Sequence, residues 1–510
     1  MTNGTFLKKF SSLLFKPGFW LLLIFPLALA VRCYHITCPI NDMHAFRQTQ
    51  TAGLIRDYYR NGINMLYPTI ITLGKPGYLV LEFPLYQTVS ALLYRLFIPD
   101  VIVARIFTII TGLFSIFFVY RISSRFIDKR SSVLAAFFFA FMPFDIFFQR
   151  VPMQDTLTIL VSLMMLDFLL EGIWGKVSYL LMGIIAASLG FMMKSPFVAP
   201  LFLPVFYLGW ARHKESGGLF GPRLLLAFFV PFTAMVLWQH HANFVNDTYC
   251  NRDGYPFREL YSTFVVKLHP FNRVYFGTLA QRLDPKNYLL IAKTISRGVL
   301  TFPGLLLFAA GAVSLAVKRK AGFLSVWLFS LLLVMLIVFP MYIEQSYWLL
   351  PLCPVLSIFC GAGAGSVLDF MGKYGKKAVF ISAIIIVSVF LFQALAITKY
   401  FFRGNSLTKI GTFIDEHTEK DAMIAIVSPL FGQFDPTMMY FADRHGFNVP
   451  ANKMDGKMLA YLVQQQVKYI AEIDLKVRGG STLVADVGIF DISSGKPAPK
   501  AAKEEFFSLN

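Results

Sequence analysis

Asp42, His44, Arg47 and Gln48 crowd into the stretch Ile40-Asn41-Asp42-Met43-His44-Ala45-Phe46-Arg47-Gln48, and Glu82 follows in Leu81-Glu82-Phe83-Pro84-Leu85. Both stretches flank apolar runs, where an unpaired ionisable group costs on the order of several kcal/mol. A carboxylate in such a place accepts a proton from an incoming hydroxyl or amine, or binds a metal, and an arginine grips a phosphate with two parallel hydrogen bonds. The plainer reading is an interfacial cap, with Asp42 at a helix N-terminus and His44 and Arg47 reaching toward headgroups. On the residues alone both readings stand. An isolated acid among aliphatics, such as Glu82, ordinarily has a cationic or metal partner; the alternative is a surface glutamate at the bend before Pro84.

Further along, Asp155 lies in Arg150-Val151-Pro152-Met153-Gln154-Asp155 at the start of an apolar run. Pro152 suits a first helical turn, and an acid there faces the favourable end of the helix dipole. Arg150 is either a substrate ligand or the ion-pair partner of Asp155. Lys194, in Met193-Lys194-Ser195-Pro196, is a phosphate ligand or a snorkelling anchor. His240, adjacent to His241, is a single candidate metal ligand, with Glu82 as another, although the pair lacks metal-site spacing. Glu344 and Gln345 occupy a later turn. No phosphate-binding glycine loop, dinucleotide fingerprint or thiol-redox pair is present, and Gly361-Ala362-Gly363-Ala364-Gly365 reads as small-residue packing within a helix. A pump driven by its own ATP site is thereby disfavoured, and no nucleotide cofactor is expected.

The elements that must hold these groups are membrane helices. At 510 residues and 56% hydrophobic, with mean hydropathy +0.59, the chain is too apolar for an ordinary soluble protein. Apolar runs at about 17–35, 101–120, 131–149, 152–171, 177–193, 197–211, 223–241, 298–317, 322–340, 346–368 and 377–398 predict about eleven spans. The first is expected to be a retained anchor, since no cleavage site follows it. The net charge of +18 does not imply a nucleic acid. Lys8, Lys9, Lys16, Arg121, Arg125, Lys129, Arg130, Lys176, Arg212, Lys214, Arg223, Lys318–Lys320, Lys373, Lys376 and Lys377 fall in alternate loops. The positive-inside rule then predicts a cytoplasmic N-terminus and an external C-terminus.

Three external segments result: about 36–100, about 242–297, and the tail from about 400. In the first, residues 46–59 and 84–97 are amphipathic. They predict helices in the membrane interface, or loop helices packed on the bundle. The tail alternates Val/Ile/Phe runs at 422–427, 468–471 and 487–490 with helical stretches near 407–417 and 455–467, which predicts a small external α/β domain. From Lys496 a disordered end is expected. The division is thus 1–400 for the membrane domain and 401–510 for the external one. Of the five cysteines, Cys353 and Cys360 are expected to be buried thiols, while a Cys38–Cys250 disulfide is one option on the oxidising side.

The segment His44-Ala45-Phe46-Arg47-Gln48-Thr49-Gln50-Thr51-Ala52 looks like the H-x-W-R-Q-x-x-T-A form found in bacterial GT-C fold glycosyltransferases. Together with Glu82-Phe83-Pro84-Leu85, Pro152-Met153-Gln154-Asp155 and Lys194-Ser195-Pro196, it resembles the branch holding protein O-mannosyltransferases and lipid A aminoarabinose transferase. The resemblance covers roughly residues 15–400. It implies a polytopic α-helical GT-C enzyme of the inner membrane that takes a sugar from a polyprenyl-phosphate carrier to a glycan, lipid or protein acceptor at the external face. It further implies Asp42 as catalytic acid, Asp155 as supporting acid, Glu82 as a metal or base-positioning group, and Arg47 and Lys194 on the carrier phosphate, with a divalent metal ion as candidate cofactor. Where relatives carry acids within the motif this chain has Gln48 and Gln50, so the base falls to Asp42 or His44. Asp42 and Asp155 are expected to face one external cavity with Glu82 at its rim. The rival class is a transporter or flippase of a lipid-linked or anionic substrate. Transporters place ionisable groups near the midplane of repeated, broken helices, whereas here the acids sit at span ends and no internal repeat is evident.

Overall fold

The computed structural model describes residues 17–216, 221–249, 273–402, 407–429, 431–432, 434–478, 482–493 and 502–507. Cys250, Lys8, Lys9 and Lys16 lie outside these, and so does the Cys38–Cys250 pairing. The chain forms two compact units, one of residues 1–36, 105–238 and 269–401, the other of residues 37–104, 239–268 and 402–510. The second unit thus groups residues 37–104 with the tail.

In the first unit a helix stands at every expected span. Among the described residues five are long and apolar enough to cross a membrane: Val101–Ser123, Val177–Ala211, Pro222–Tyr249, Leu352–Tyr374 and Lys376–Phe401. A sixth follows if Pro285–Val299 and Thr301–Val317, bent by 100°, form one span, and Gly18–Cys33 and Gly322–Ile337 are apolar but shorter. The chain is a multi-pass membrane protein. Burial separates the helices by role. Lys376–Phe401 is strongly apolar and only 11% buried, whereas Leu352–Tyr374 is 83% buried. Lipid rather than protein solvates the apolar surface of the first, and the second packs inside the bundle.

Local sequence sets the helix ends. Lys129–Phe141 starts on Asp128, whose carboxylate accepts from the Ser131 N–H at 3.0 Å. It stops at Met142, extended at ψ 136°, because Pro143 disfavours a helical residue before it. The glycine run packs as expected: a Cβ at Gly363 would stand 1.9 Å from the Leu307 carbonyl, and one at Gly311 would stand 1.9 Å from the Phe359 carbonyl. Helices Thr301–Val317 and Leu352–Met371 therefore touch backbone to backbone. Gly363→Leu should cost at least about 1–3 kcal/mol through overpacking. Its thermal unfolding in detergent is expected roughly 2 °C or more below the parent, and an unchanged melting point would contradict the close approach.

The second unit is built on a five-stranded sheet of β1 (Met423–Ser428), β2 (His445–Pro450), β3 (Val467–Arg478), β4 (Thr482–Asp491) and β5 (Ala502–Phe507), in the order β2-β1-β3-β4-β5. β1 is parallel to β2 and β3, while β4 is antiparallel to β3 and β5. Alternation along β1 divides its side chains between two cores. Ile424 and Ile426 lie with Ile410, Phe413 and Met438, and Ala425 and Val427 lie with Met458 and Leu462. The expected α/β domain is present. β2 was not legible, since His-Gly-Phe-Asn-Val-Pro is short and bounded by turn formers. β5 corrects the disordered end over 502–507: its backbone pairs from Ile489↔Ala502 to Val484↔Phe507, and only β4 supplies those hydrogen bonds.

Residues 70–79 are woven into this unit. Gly74 N–H donates to the Gly446 carbonyl and Gly446 N–H to the Ile71 carbonyl, each at 2.9 Å, so residues 71–74 cover the β2 edge. Gly74 sits at φ +67°, where a Cβ would meet the Phe447 ring at 2.5 Å. Ile70 and Leu79 enter one core and Ile71 the other. The helix expected over 46–59 spans Ala45–Asn61, and it buries polar Gln48, Thr49, Thr51 and Asp57 beside Ala52, Gly53, Ile55 and Tyr58. Of the expected apolar face, Ile55 and Tyr58 are buried and Phe46, Leu54 and Tyr59 are half-buried. Thr49 Oγ1 lies 3.3 Å from Thr437 Oγ1, and Arg56 donates to the Tyr440 carbonyl at 3.0 Å, so the helix packs on protein.

Candidate functional site

Within the second unit, the site is assembled at the start of the Ala45–Asn61 helix. His44 is its N-cap residue at φ 60°, in the left-handed region, and makes no side-chain cap; histidine is among the residues that tolerate this conformation. Asp42 is 8% exposed and Gln48 is fully buried. Gln48 Nε2 donates to Asp42 Oδ1 at 2.6 Å and to the Met43 carbonyl at 2.9 Å, closing the turn around His44. The N-cap position of this helix is held by His44 rather than Asp42. The Asp42 carboxylate is aimed by a glutamine amide.

Glu82 has the cationic partner its setting requires: Arg47 Nη2 donates to Glu82 Oε2. Arg47 Nη1 donates to Gln50 Oε1 at 2.6 Å. Both side chains line a small cleft of about 40 Å³ with Gln50, Thr51 and Gln87. The extended segment before Glu82 is held by a residue that sequence reading missed. Asn246, 1% exposed, accepts from the Val80 N–H at 2.8 Å and donates to the Val80 carbonyl at 2.7 Å. Its two complementary amide bonds mimic a β-partner. No motif marks Asn246, which lies 166 residues away in sequence. His241 Nε2 lies 2.7 Å from the Leu66 carbonyl. Among the described residues no three His, Cys, Asp or Glu side chains group as metal ligands, so His240 and Glu82 are not joined into such a set. The rear of the helix is fixed by Asp443, which takes Arg56 at 2.7 Å and Arg60 at 2.8 Å. Burial pushes the Asp443 carboxyl up, but the Arg60 hydrogen bond and the charges of Arg56, Arg60 and Arg444 outweigh it and hold the group below its ordinary range.

In the first unit, Asp155 opens the Asp155–Gly172 helix and Lys194 interrupts the Val177–Val198 helix at ψ 81°, two residues before Pro196. Lys194 Nζ donates to Asp155 Oδ1 at 2.6 Å, and the two residues are 7% and 1% exposed. Lys194, rather than Arg150, is thus the partner of Asp155 in this pair. Three rings surround the ammonium: Phe197 at 4.3 Å, Tyr347 at 4.7 Å and Trp348 at 4.8 Å. Tyr347 Oη and Trp348 Nε1 both donate to Gln345 Oε1, which fixes two walls of the cage. Neither the rings nor Gln345 as their anchor was legible as a site, since aromatic residues are everywhere in this chain; Glu344 beside it is exposed. Asp155 Oδ2 is buried without a hydrogen-bond partner, an unsatisfied acceptor beside a caged cation. Arg150 is fully buried and donates to the carbonyls of Tyr34 at 3.3 Å and His35 at 2.7 Å. The pairs Asp42–Gln48 and Arg47–Glu82 thus belong to one unit and Asp155–Lys194 to the other.

The sequence profile of the dolichyl-phosphate-mannose-protein mannosyltransferase family matches residues 81–238, a stretch that begins beside Glu82 and contains Asp155 and Lys194. No curated protein matches the sequence. Among solved structures, the fold is similar to ArnT from Cupriavidus metallidurans bound to undecaprenyl phosphate, at 13% identity and TM-score 0.64, over 96% of this chain and 98% of that one. The apo state of the same ArnT matches at 14% and 0.59, over 89% and 92%. Archaeal oligosaccharyltransferase AglB from Archaeoglobus fulgidus, in complex with an inhibitory peptide and a dolichol-phosphate, matches at 13% and 0.55, over 89% and 69%. This chain has the GT-C fold, a bundle of apolar helices carrying a small C-terminal α/β domain.

Proposed function

We propose that this chain is a membrane glycosyltransferase that moves a sugar from a polyprenyl-phosphate carrier to an acceptor on a glycolipid, polysaccharide or protein at the external face of the inner membrane. The observation that carries the reading is the mannosyltransferase profile across Glu82, Asp155 and Lys194 on a chain whose fold is also that of a protein solved with undecaprenyl phosphate. In the reaction the acceptor oxygen or nitrogen forms a bond to the anomeric carbon. The bond from that carbon to the phosphate oxygen breaks, the acceptor proton passes to a base, and polyprenyl phosphate leaves. Asp42, aimed by Gln48, is assigned as the base, with His44 adjoining it. Arg47, and separately Lys194, are assigned to the carrier phosphate, where cations stabilise charge on the leaving oxygen. Asp155 tunes and holds Lys194. One AglB structure is a complex with Zn and sulfate. In this chain the Glu82 carboxylate is paired with Arg47, and turnover with and without EDTA measures the contribution of a divalent metal ion.

The carrier is tested with undecaprenyl phosphate on the purified protein in detergent. Arg47→Ala and Lys194→Ala are each expected to weaken its binding about tenfold or more, in line with loss of a charge-assisted hydrogen bond. Parent-like affinity in both folded variants would remove these residues from the carrier site. The orientation is tested separately. Reporter fusions at residues 215 and 420 are expected on opposite sides, cytoplasmic and external, as the lysine and arginine loops require; the same side for both would overturn the topology.

A further inference from the structure

The first unit also buries a set of charges that the reaction above does not use. Arg32, Asp145 and Gln149 are at most 2% exposed, and ionisable groups are rarely kept inside an apolar helix bundle without a function. Arg32 Nη2 donates to the Ala140 carbonyl at 2.9 Å, an acceptor orphaned where the helix breaks before Pro143. The same guanidinium donates to Gln149 Oε1 through Nη2 at 2.8 Å and Nε at 3.2 Å. Gln149 Nε2 in turn donates to Asp145 Oδ1 at 2.8 Å. Gln149 is the C-cap residue of the short Pro143–Phe148 helix, so its side chain ties both ends of that helix to the Pro17–Cys33 helix. Gly112 leaves the room it needs, since a Cβ there would fall 2.6 Å from Gln149 Oε1.

The turn that follows is buried and short of slack. Arg150, Val151, Met153 and Gln154 are at most 1% exposed, Thr156 Oγ1 donates to the Phe148 carbonyl at 2.9 Å, and Gln154 Nε2 donates to the Met193 carbonyl at 3.4 Å. The residues after these contacts, Asp155 and Lys194, form the caged ion pair.

We propose that Arg32, Asp145 and Gln149 are positioning residues: together they fix the Gln149–Gln154 turn and through it set the place of Asp155 against Lys194. This goes beyond the assignment of Asp155 and Lys194 and rests on that reading only for its effect on turnover. A displacement of about 1 Å at a reacting group costs on the order of a hundredfold in rate, so a support outside the site is expected to have a large effect on turnover.

The test reads the ion pair directly. Lys194 is labelled with acetic anhydride in the full-length protein in detergent and followed by peptide mass spectrometry, with maleimide labelling of the fully buried Cys360 as a report on general opening. Gln149→Met, which removes all three side-chain hydrogen bonds to Arg32 and Asp145, is expected to label at Lys194 about tenfold faster than the parent while Cys360 stays protected. Gln149→Glu, which still accepts from Arg32, is expected to restore part of the protection. Gly112→Ala, which displaces the amide without altering the charges, covers the case in which Gln149→Met fails to fold. Unchanged Lys194 labelling in the folded variants, or Lys194 and Cys360 opening together, overturns the proposal. Full sugar transfer by Lys194→Ala would instead remove the functional reading of the ion pair and leave the labelling result standing.

Discussion

Asp42→Asn is expected to lower sugar transfer by about a hundredfold or more, the usual contribution of a positioned base, with the fold intact. Asparagine keeps the volume of the side chain. It places an amide opposite the Gln48 amide, which now donates to Asp42 Oδ1 at 2.6 Å, and rotation of either amide restores a donor–acceptor pair. Shape and hydrogen bonding are therefore retained while basicity is removed, so the variant separates proton transfer from structure. Gln48→Leu provides the complementary case: the base remains but loses its orienting donor, and a smaller fall in kcat is expected. The measurements are turnover with a polyprenyl-phosphate sugar and the melting temperature. Full transfer by Asp42→Asn would leave the loop in place and move the base to His44.

The second large effect concerns the caged pair. Removing one member of a buried ion pair leaves an uncompensated charge and costs about 3–5 kcal/mol, whereas replacing both can be neutral. Lys194→Met strands the Asp155 carboxylate, which is 1% exposed and already has one unsatisfied oxygen. Asp155→Asn leaves the ammonium among Phe197, Tyr347 and Trp348, where the rings offset part of the loss. Lys194→Met should therefore melt lower than Asp155→Asn, and the double variant should melt above Lys194→Met. Transfer is expected to stay lost in the double variant, because stability is recovered without the charges. A double-mutant cycle on melting and turnover together checks both halves. Additive destabilisation would mean the pair is not coupled, and restored transfer in the double variant would make it structural only.

The membrane class, the place of the long apolar helices and the main strands of the α/β domain were legible because each depends on a local period or on a long apolar run. The motif acids and cations were legible by type, since a charge is conspicuous in a chain of which only 15% is charged. Partners were not. Glu82 demanded a cation but could not name Arg47, 35 residues away, and Asp155 had Arg150 close at hand yet took Lys194, 39 residues away. Neighbours in sequence lose here because the turn after Phe148 points the Arg150 guanidinium at the Tyr34 and His35 carbonyls. The polar face of the Ala45–Asn61 helix is buried because the partner surface is an α/β domain with its own polar groups, which no periodicity in residues 46–59 reports. Asn246, Gln345 and the Arg32–Gln149–Asp145 set are ordinary residues made specific by what they face. β5 became a strand because β4 offered an edge. Composition and period thus determined which segments are helices, strands and apolar spans. Tertiary contact decided which charges meet, because hydrogen bonds and ion pairs act over about 3 Å in space and are indifferent to separation along the chain.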